Sequence, residues 1–281
     1  MPMKVAIQGG QASFHDVAAR RFFAHTDLQL VECQTFRQEF AELSKGCADF
    51  VVMAVENTLA GSLLSNYALV AQFDATIVGE IYLQIKQNLM ALPGQAIEEI
   101  RTVRSHPIAL QQCSEFLEKQ THMRALESAD TADSARQICE QRLTGTAAVA
   151  SMRAAELYDL TVLVESIENI KDNYTRFWIL ARHKEAKHEG EKASLVFHVK
   201  HEVGALARVL NTLCDHSLNL GLIQSVPIPG RPDEYAFHVD IEWNERKQFE
   251  SALPQIKQET SYLYVLGQYK AGEKPYARSF S

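Results

Sequence analysis

The sequence lacks paired cysteines and long apolar runs, and each absence excludes a class of protein. Its five cysteines are an odd number, and no CxxC pair occurs, so their spacing indicates neither a disulfide framework nor a zinc site. This usage is typical of a reducing compartment. No segment approaches the roughly 18 apolar residues of a membrane span, and the first apolar run meets Gly9 too soon for a signal peptide. We therefore predict a cytoplasmic protein without a membrane partner.

The chain also lacks an excess of positive charge. Its 28 Lys and Arg residues stand against 35 Asp and Glu residues, which gives a formal net charge of −7 over 281 residues. No long basic stripe offsets this deficit, so a nucleic-acid partner is not expected. An anionic ligand would need a local positive site. A hydrophobic content of 46% indicates a folded chain, either one large domain or two linked domains.

Short strand patterns alternate with helical patterns from residue 4 to residue 180. This order predicts an α/β fold with mainly parallel sheets and helices on both faces. Helical periodicity covers residues 14–25, 62–73 and 107–119, among others. The segment from His183 to Lys192 is almost wholly polar, as expected of an exposed linker between domains.

The pattern after residue 192 is smaller and more regular. Leu206, Val209, Leu210 and Leu213 form one apolar stripe of a helix, and the residues from Tyr235 to Trp243 alternate as a strand. The full order is βαββαβ, which predicts a ferredoxin-like module with an antiparallel sheet. Strict alternation favours a sheet whose helices cover one face only.

Polar clusters follow or open several predicted strands, where α/β folds place ligands. They are Gly9 to Ser13, Glu56-Asn57-Thr58, Ser105-His106-Pro107 with Gln112, Asp130-Thr131, and Asn173 to Phe177. Each has a structural alternative: Ser13 and Ser105 could cap helices, His106 could be packed or solvated, and Arg176 could lie on the surface. An arginine beside a hydroxyl can instead bind a carboxylate.

Motifs for nucleotide binding, for a catalytic nucleophile and for a zinc or calcium site do not occur in the sequence. The clusters therefore predict a small anionic ligand that is bound without a metal or cofactor.

At these residues the chain resembles prephenate dehydratases. The resemblance rests on Glu56-Asn57-Thr58 with Gly61, Ser105-His106-Pro107 with Gln112, and Asn173 to Phe177, followed by Gly204-Ala205-Leu206 of an ACT regulatory domain. Three motifs in order are a specific signal. The resemblance implies a carbon–oxygen lyase that converts prephenate to phenylpyruvate in phenylalanine biosynthesis, without a cofactor, as a homodimer or homotetramer.

The resemblance also implies a division of the chain. Residues 1–183 would form a two-lobed catalytic domain like a periplasmic binding protein, with lobe one at about 1–78 and 165–183 and lobe two at about 79–164. A linker at 184–192 would lead to a ferredoxin-like ACT domain at 193–271 and a tail at 272–281.

Site residues follow from the same resemblance. Thr175 would assist departure of the ring hydroxyl, while Glu56, Asn57, Ser105 and Gln112 complete the catalytic set. The expected substrate-binding residues are Arg176, Phe177, Ser13, Thr58, His106 and Thr131. Phenylalanine, as a feedback inhibitor, would bind at Gly204, Ala205, Leu206, Asn219, Gln224 and Ser225.

The sequence departs from the family pattern at several positions. Gly10, Ala12 and His15 stand in the first motif where the family usually has proline, glycine and serine. Ile108 replaces a common glutamine, and Gln224 and Val226 replace the acidic and basic members of the effector motif. Two other functions remain open: dehydration of arogenate, and non-catalytic binding of a small molecule.

Overall fold

A computed structural model of the chain describes residues 2–183, 189–228, 230, 231 and 234–274. These residues form two compact units. The first unit holds the chain up to Ser62 and Tyr82–Phe177, and the second holds Leu63–Ile81 and the chain from Trp178 onward. The predicted domain limits stay predictions. Residues 184–188 of the predicted linker and 275–281 of the predicted tail lie outside the described residues.

Strands and helices alternate through most of the chain. The strands are β1 Met3–Gln8, β2 Leu28–Cys33, β3 Phe50–Asn57, β4 Gly61–Ser62, β5 Ala75–Gln84, β6 Asn88–Ala91, β7 Thr102–Ser105, β8 Arg124–Glu127, β9 Thr146–Ala150, β10 Thr161–Val164, β11 Tyr174–Arg182, β12 Lys192–His198, β13 Asn219–Pro227, β14 Tyr235–Glu242 and β15 Tyr262–Tyr269. The helices are α1 Phe14–Phe22, α2 Phe36–Lys45, α3 Leu64–Gln72, α4 Pro107–Gln112, α5 Ser114–Lys119, α6 Thr131–Glu140, α7 Met152–Leu157, α8 Ala205–Asp215 and α9 Arg246–Glu259, with a 3₁₀ turn at Ile97–Glu99. In the described part of the chain, no helix is long and apolar enough to cross a membrane.

Two sheets organise the first part of the chain. The first has the strand order β2-β1-β3-β11-β5, with β4 paired to β3, and β1 runs parallel to both β2 and β3. The second has the order β10-β6-β9-β7-β8. In it, β7 is parallel to β8 and β9, whereas β6 is antiparallel to β9 and β10. The mixed α/β architecture is confirmed, and its sheets are less uniformly parallel than predicted.

The second sheet carries helices on both faces, as predicted. Ala132, Ala135 and Ile138 of α6 pack in one apolar cluster with Ala148 and Ala150 of β9. Ala109 and Leu110 of α4 pack in another cluster with Ala147 and Val149 of the same strand. Alternate residues of β9 therefore face opposite helical layers, as the period of a strand requires.

Three predicted helices differ from the observed ones. The first ends at Phe22, and His25 already has a left-handed φ of 68°. The second begins at Leu64, because Ser62 pairs with Glu56 in a short strand. The predicted helix at 107–119 is broken at Cys113, whose N–H bonds to Leu110 O over a single tight turn. This break places Gln112 at the end of α4.

The βαββαβ order of the second unit is confirmed. Its four-stranded sheet has the order β13-β14-β12-β15, with antiparallel pairing throughout. Leu195, Val239 and Ile241 on one face pack against Val209 of α8 and Phe249 of α9. Lys192, at the end of the predicted linker, is the first residue of β12 and is 2% exposed.

The opposite face of this sheet is covered too, which corrects the prediction of a half-covered sheet. Residues Leu63–Ile81 supply the cover within the same unit. The ring of Tyr67 on α3 meets that of His238 at 5.4 Å, and a Cβ at Gly267 would lie 2.0 Å from the carbonyl oxygen of Ile77. Glycine at 267 therefore permits close backbone contact between β15 and β5.

A group of charges, with Glu242 partly exposed and the others buried, occupies the same face. The Nζ of Lys192 lies 2.8 Å from Glu80 Oε1, 3.4 Å from Glu242 Oε1 and 3.9 Å from Asp240 Oδ2. We call these four residues the Lys192 network. A buried lysine requires such partners, because an unpaired ammonium group would lose its hydration without compensation.

Candidate active site

The loops after β3 and before β11 are joined by hydrogen bonds. The N–H of Thr58 donates to Tyr174 O at 2.9 Å, and the N–H of Tyr174 donates to Thr58 Oγ1 at 3.0 Å. The Thr58 hydroxyl donates in turn to Asp172 O at 3.2 Å. Thr58, predicted to bind substrate, thus uses its hydroxyl to hold the two loops together.

Three buried polar side chains meet at this junction, and we call Asn57, Asn173 and Thr175 the Asn57 cluster. The Nδ2 of Asn57 donates to Asn173 Oδ1 at 2.7 Å and to Thr175 Oγ1 at 2.9 Å. The Oδ1 of Asn57 accepts the backbone N–H groups of Leu59 at 3.0 Å and Ala60 at 2.9 Å. Both functional groups of the Asn57 amide are therefore committed to protein atoms.

This geometry determines what the Thr175 hydroxyl can do. Its oxygen accepts a hydrogen bond from Asn57, so the hydroxyl proton is directed elsewhere, and the residue keeps 9% of its surface exposed. A neutral hydroxyl does not ionise at physiological pH, but it can donate a hydrogen bond to an oxygen that develops negative charge. The site is thus built to present one neutral donor.

The residues next to Asn57 and Thr175 along β3 and β11 form a charged pair. The Nη1 of Arg176 lies 3.9 Å from Glu56 Oε2, and its guanidinium carbon lies 5.9 Å from the ring centre of Tyr82. Arg176 is 2% exposed, whereas the Glu56 side chain is 37% exposed. A substrate carboxylate at this arginine would therefore share the guanidinium with Glu56.

Ser105 and His106 make their hydrogen bonds within their own loop and sheet. The hydroxyl of the fully buried Ser105 donates to Val149 O at 2.6 Å, so only its lone pairs remain for another partner. Nδ1 of His106 accepts the N–H of Ile108 at 3.3 Å, and Pro107 occupies the first turn of α4. His106, rather than Ser105, caps this helix.

Gln112 lines a cavity of about 240 Å³ together with Leu59, Ala60, Ile108 and Asn169. Leu59 and Ala60 are the residues whose N–H groups bind Asn57 Oδ1. The cavity and the Asn57 cluster are thus connected through one short loop. Ile108 is 50% exposed.

Ser13 and Thr131 lie at the starts of α1 and α6. Ser13 is 2% exposed and accepts the N–H of Asp16 at 3.3 Å. Thr131 is 8% exposed and follows the cap Asp130, which borders a polar cavity of about 620 Å³ with Gly9 and Arg136. Among the described residues, no hydrogen bond links Ser13 or Thr131 to the Asn57 cluster.

Phe177 lies in the core rather than at a surface that a ligand could reach. It is 1% exposed and meets the ring of His15 edge-on at 5.1 Å. Burial lowers the pKa of His15 to about 4, so this imidazole is neutral at physiological pH. Within the described part of the chain, Nε2 of His15 is buried without a hydrogen-bond partner.

The sequence predicts no separate role for Asn173, which stands within the motif from Asn173 to Phe177. The available signal was the amide at the start of the Asn-Tyr-Thr-Arg-Phe run, two residues before Thr175. The role of the Leu59 and Ala60 N–H groups as donors to Asn57 is not predicted either, because every residue except proline has a backbone N–H.

The second unit contains a separate cavity of about 720 Å³, lined by Gly204, Ala205 and Leu206 together with Lys200, Tyr235 and Phe237. Gly204 caps α8 with a left-handed φ of 79°. Asn219, Gln224 and Ser225 belong to the edge strand β13 and are not part of the cavity lining. The predicted effector residues therefore fall into two groups.

Comparison with known proteins gives one consistent family. The sequence profile of the family "Prephenate dehydratase" matches residues 5–185. A bifunctional chorismate mutase/prephenate dehydratase of Aquifex aeolicus is 35% identical over 95% of this chain and 73% of that protein. Arogenate dehydratase/prephenate dehydratase 2 of Arabidopsis thaliana is 33% identical over 95% of this chain and 72% of that protein.

Solved structures show the same fold. One that is described as GqqA, a novel type of quorum quenching acylases, has a TM-score of 0.87 and 28% identity, covering 98% of this chain and all of that chain. Prephenate dehydratases at 24% and 22% identity superpose with TM-scores of 0.84 and 0.82. These two likenesses concern the fold alone.

Proposed function

The chain belongs to the prephenate dehydratase family, and we propose that it converts prephenate to phenylpyruvate, carbon dioxide and water. In this reaction the ring carbon–oxygen bond breaks as the ring carboxylate leaves as carbon dioxide, and the electrons of the broken carbon–carbon bond complete the aromatic ring. The departing hydroxyl takes up a proton and leaves as water. Aromatisation drives the reaction, so the enzyme has mainly to position the substrate and stabilise the leaving oxygen.

The observation that carries this proposal is the hydrogen bond from Asn57 Nδ2 to Thr175 Oγ1 at 2.9 Å. It directs the Thr175 proton away from Asn57, so that this proton can meet the leaving hydroxyl. The net charge of the protein is −7 while the substrate is a dianion, so binding depends on local donors. Arg176 follows Thr175 in β11 and supplies a guanidinium, and Gln112 lines the cavity that Leu59 and Ala60 also line.

Arogenate is the second candidate substrate. Plant relatives at 33–36% identity are named arogenate dehydratase, and two of them carry both names. The two substrates share the ring, its hydroxyl and its carboxylate, and they differ in the side chain, where arogenate has an amino group and prephenate has a keto group. Thr175 would play the same role with either.

We also propose feedback inhibition by L-phenylalanine through the second unit, whose βαββαβ module we interpret as an ACT domain. The 720 Å³ cavity supports this, because it combines the apolar rings of Tyr235 and Phe237 with the N-terminus of α8 and Lys200. An amino-acid carboxylate is favoured at a helix N-terminus. Cytoplasmic location and assembly as a homodimer or homotetramer stay predictions.

One assay tests the central proposal. Purified protein is incubated separately with prephenate, with arogenate and with an N-acyl amide, the last because one structure of this fold is described as an acylase. We expect phenylpyruvate from prephenate. Phenylalanine formed from arogenate alone would reassign the substrate, and amide hydrolysis without either aromatic product would reject a dehydratase. Inhibition is tested by adding L-phenylalanine, and an unchanged rate at millimolar concentration would reject the regulatory proposal.

A further inference from the structure

Asn173 uses only half of its amide group. It is fully buried, and its Oδ1 accepts the hydrogen bond from Asn57 at 2.7 Å. Its Nδ2 is buried without a hydrogen-bond partner among the residues that the structure describes. An unpaired buried donor costs stability, so an apolar side chain of similar size would suit folding better than asparagine. A polar residue at this position therefore needs another physical reason.

The orientation of the Asn57 amide supplies that reason. Backbone N–H groups can only donate, so the Asn57 atom that meets Leu59 and Ala60 must be the oxygen. The nitrogen then points to the other side, where Asn173 Oδ1 and Thr175 Oγ1 each accept one of its two hydrogens.

A competing acceptor lies nearby. The carbonyl oxygen of Tyr174 is 3.3 Å from the same Asn57 nitrogen, a longer and weaker contact. If Asn173 could not accept, the Asn57 amide would turn toward Tyr174 O to satisfy its free hydrogen. That rotation would weaken the bond to Thr175 Oγ1 and would release the hydroxyl from its fixed orientation.

The series of hydrogen bonds also strengthens the Thr175 donor. Each oxygen that accepts a bond makes the hydrogens of its own group better donors, and this polarisation passes along a chain of such bonds. Here it runs from the N–H groups of Leu59 and Ala60 through the Asn57 amide to the Thr175 hydroxyl.

We propose that Asn173 is a positioning residue for the dehydration, acting through Asn57 to hold the Thr175 hydroxyl toward the leaving oxygen. The acceptor Oδ1 is the part that acts, and the unpaired Nδ2 is not required. The inference rests on the proposed function and adds to it a residue that never touches substrate.

Variants at Asn173 and one matched control test the inference. Asn173→Leu removes the acceptor, whereas Asn173→Asp retains an acceptor oxygen and lacks the amide nitrogen. Asn88→Leu is the control, because Asn88 is 2% exposed and both halves of its amide bond to the backbone, at Ala150 O and Ser166 N. Each variant is measured for kcat, KM and thermal midpoint.

We expect Asn173→Leu to lower kcat by about 10- to 100-fold, the usual cost of losing a group that orients a reactive one, with KM little changed. Asn173→Asp should recover most of the lost kcat. Asn88→Leu should lower the thermal midpoint while kcat stays near the wild-type value. Equal losses of kcat in Asn173→Leu and Asn88→Leu would overturn the inference. So would no recovery of kcat in an Asn173→Asp protein whose thermal midpoint is at least that of Asn173→Leu.

A double-mutant cycle with Thr175→Ala separates positioning from general disturbance. If Asn173 acts through the Thr175 hydroxyl, Asn173→Leu should add no further loss to the residual rate of Thr175→Ala. An additive loss would contradict the inference while leaving the proposed reaction intact. Wild-type protein that dehydrates neither prephenate nor arogenate rejects the proposed function itself, and this inference with it.

Discussion

The Asn57 cluster of the first unit and the Lys192 network of the second unit are both buried, yet they differ in chemistry. The Asn57 cluster consists of neutral amides and a hydroxyl, and no described residue accepts the Thr175 proton. The Lys192 network consists of charges, and its ammonium group has three carboxylate neighbours. The Asn57 cluster thus keeps the Thr175 hydroxyl available as a donor, whereas the ammonium group of Lys192 is paired with carboxylates.

The difference separates buried polarity that serves a reaction from buried polarity that serves folding. A neutral donor can be left unpaired near a ligand site at modest cost, whereas an unpaired buried charge is far more costly. The Lys192 network should therefore respond to substitution through stability, and the Asn57 cluster should respond through catalysis.

Breaking the Lys192 network should have the largest effect. Lys192→Met leaves the Glu80 carboxylate buried without its cation, and we expect the free energy of unfolding to fall by roughly 3–5 kcal/mol. The paired variant Lys192→Met with Glu80→Leu should regain part of this loss, because the charge at Glu80 is gone while buried Asp240 still lacks the ammonium group. Urea unfolding measures both. Exposed Lys247→Met is the control, and a wild-type midpoint for Lys192→Met would show that the network contributes nothing to stability.

Thr175→Ala tests the other side of the comparison. We expect kcat to fall by roughly 100- to 1,000-fold, or about 2.7–4 kcal/mol, with little change in KM, because the hydrogen bond to the leaving oxygen forms chiefly in the transition state. Thr175→Ser retains the hydroxyl and should keep most of the activity. Unfolding stability should change much less than in Lys192→Met. If Thr175→Ala raises KM alone, Thr175 binds substrate and does not assist the leaving group.

Much of the first unit can be predicted from local sequence signals. Strands β1, β3 and β10 and helix α7 follow from apolar runs and alternation, and the clusters at Asn57 and Thr175 stand next to predicted strands. Strand β2 and helix α2 were missed, although Thr35 accepts the N–H of Gln38 as an N-cap and Gly46 ends the helix in a left-handed conformation. These are the signals that mark a helix in a sequence.

Partnerships between distant residues could not be predicted. The partners Asn57 and Asn173 are 116 residues apart, and Lys192 is 112 residues from Glu80. Neither residue of the second pair carries a local signal, since a lysine at the end of a polar run is normally solvated. The alternation in β14 predicts which residues share a face, but it does not identify what covers that face.

His238, on the same face of the sheet as the Lys192 network, should make stability depend on pH. Burial lowers its pKa to about 4; Asp240 opposes that shift and His198 adds to it. The ring of Tyr67 packs against the imidazole. The folded state therefore binds this proton less readily than the unfolded state. Stability should be full above about pH 6.5 and should decline by up to about 3 kcal/mol as the pH falls toward 4.

The measurement for this prediction compares wild type with His238→Phe, which keeps a ring against Tyr67. Between pH 7.5 and pH 4.5, the thermal midpoint of the wild type should fall further than that of His238→Phe. Buried His15 in the first unit has a pKa lowered in the same direction, so it contributes equally to both proteins and cancels. Parallel pH profiles would mean that His238 is not the titrating group.

Arg176→Lys should have the smallest effect, because it keeps the positive charge of the residue that follows Thr175. Lysine cannot form the two parallel hydrogen bonds by which arginine binds a carboxylate, so we expect KM to rise about tenfold, or about 1.4 kcal/mol, with kcat nearly unchanged.

Glu56→Gln is the informative partner, since it removes the carboxylate that lies 3.9 Å from the guanidinium. If Glu56 competes with substrate for Arg176, Glu56→Gln should lower KM in the wild-type background and do less when Lys replaces Arg176. Unchanged kinetics in Arg176→Lys would mean that Arg176 stabilises the site and does not bind substrate, just as the charges of the Lys192 network stabilise the second unit.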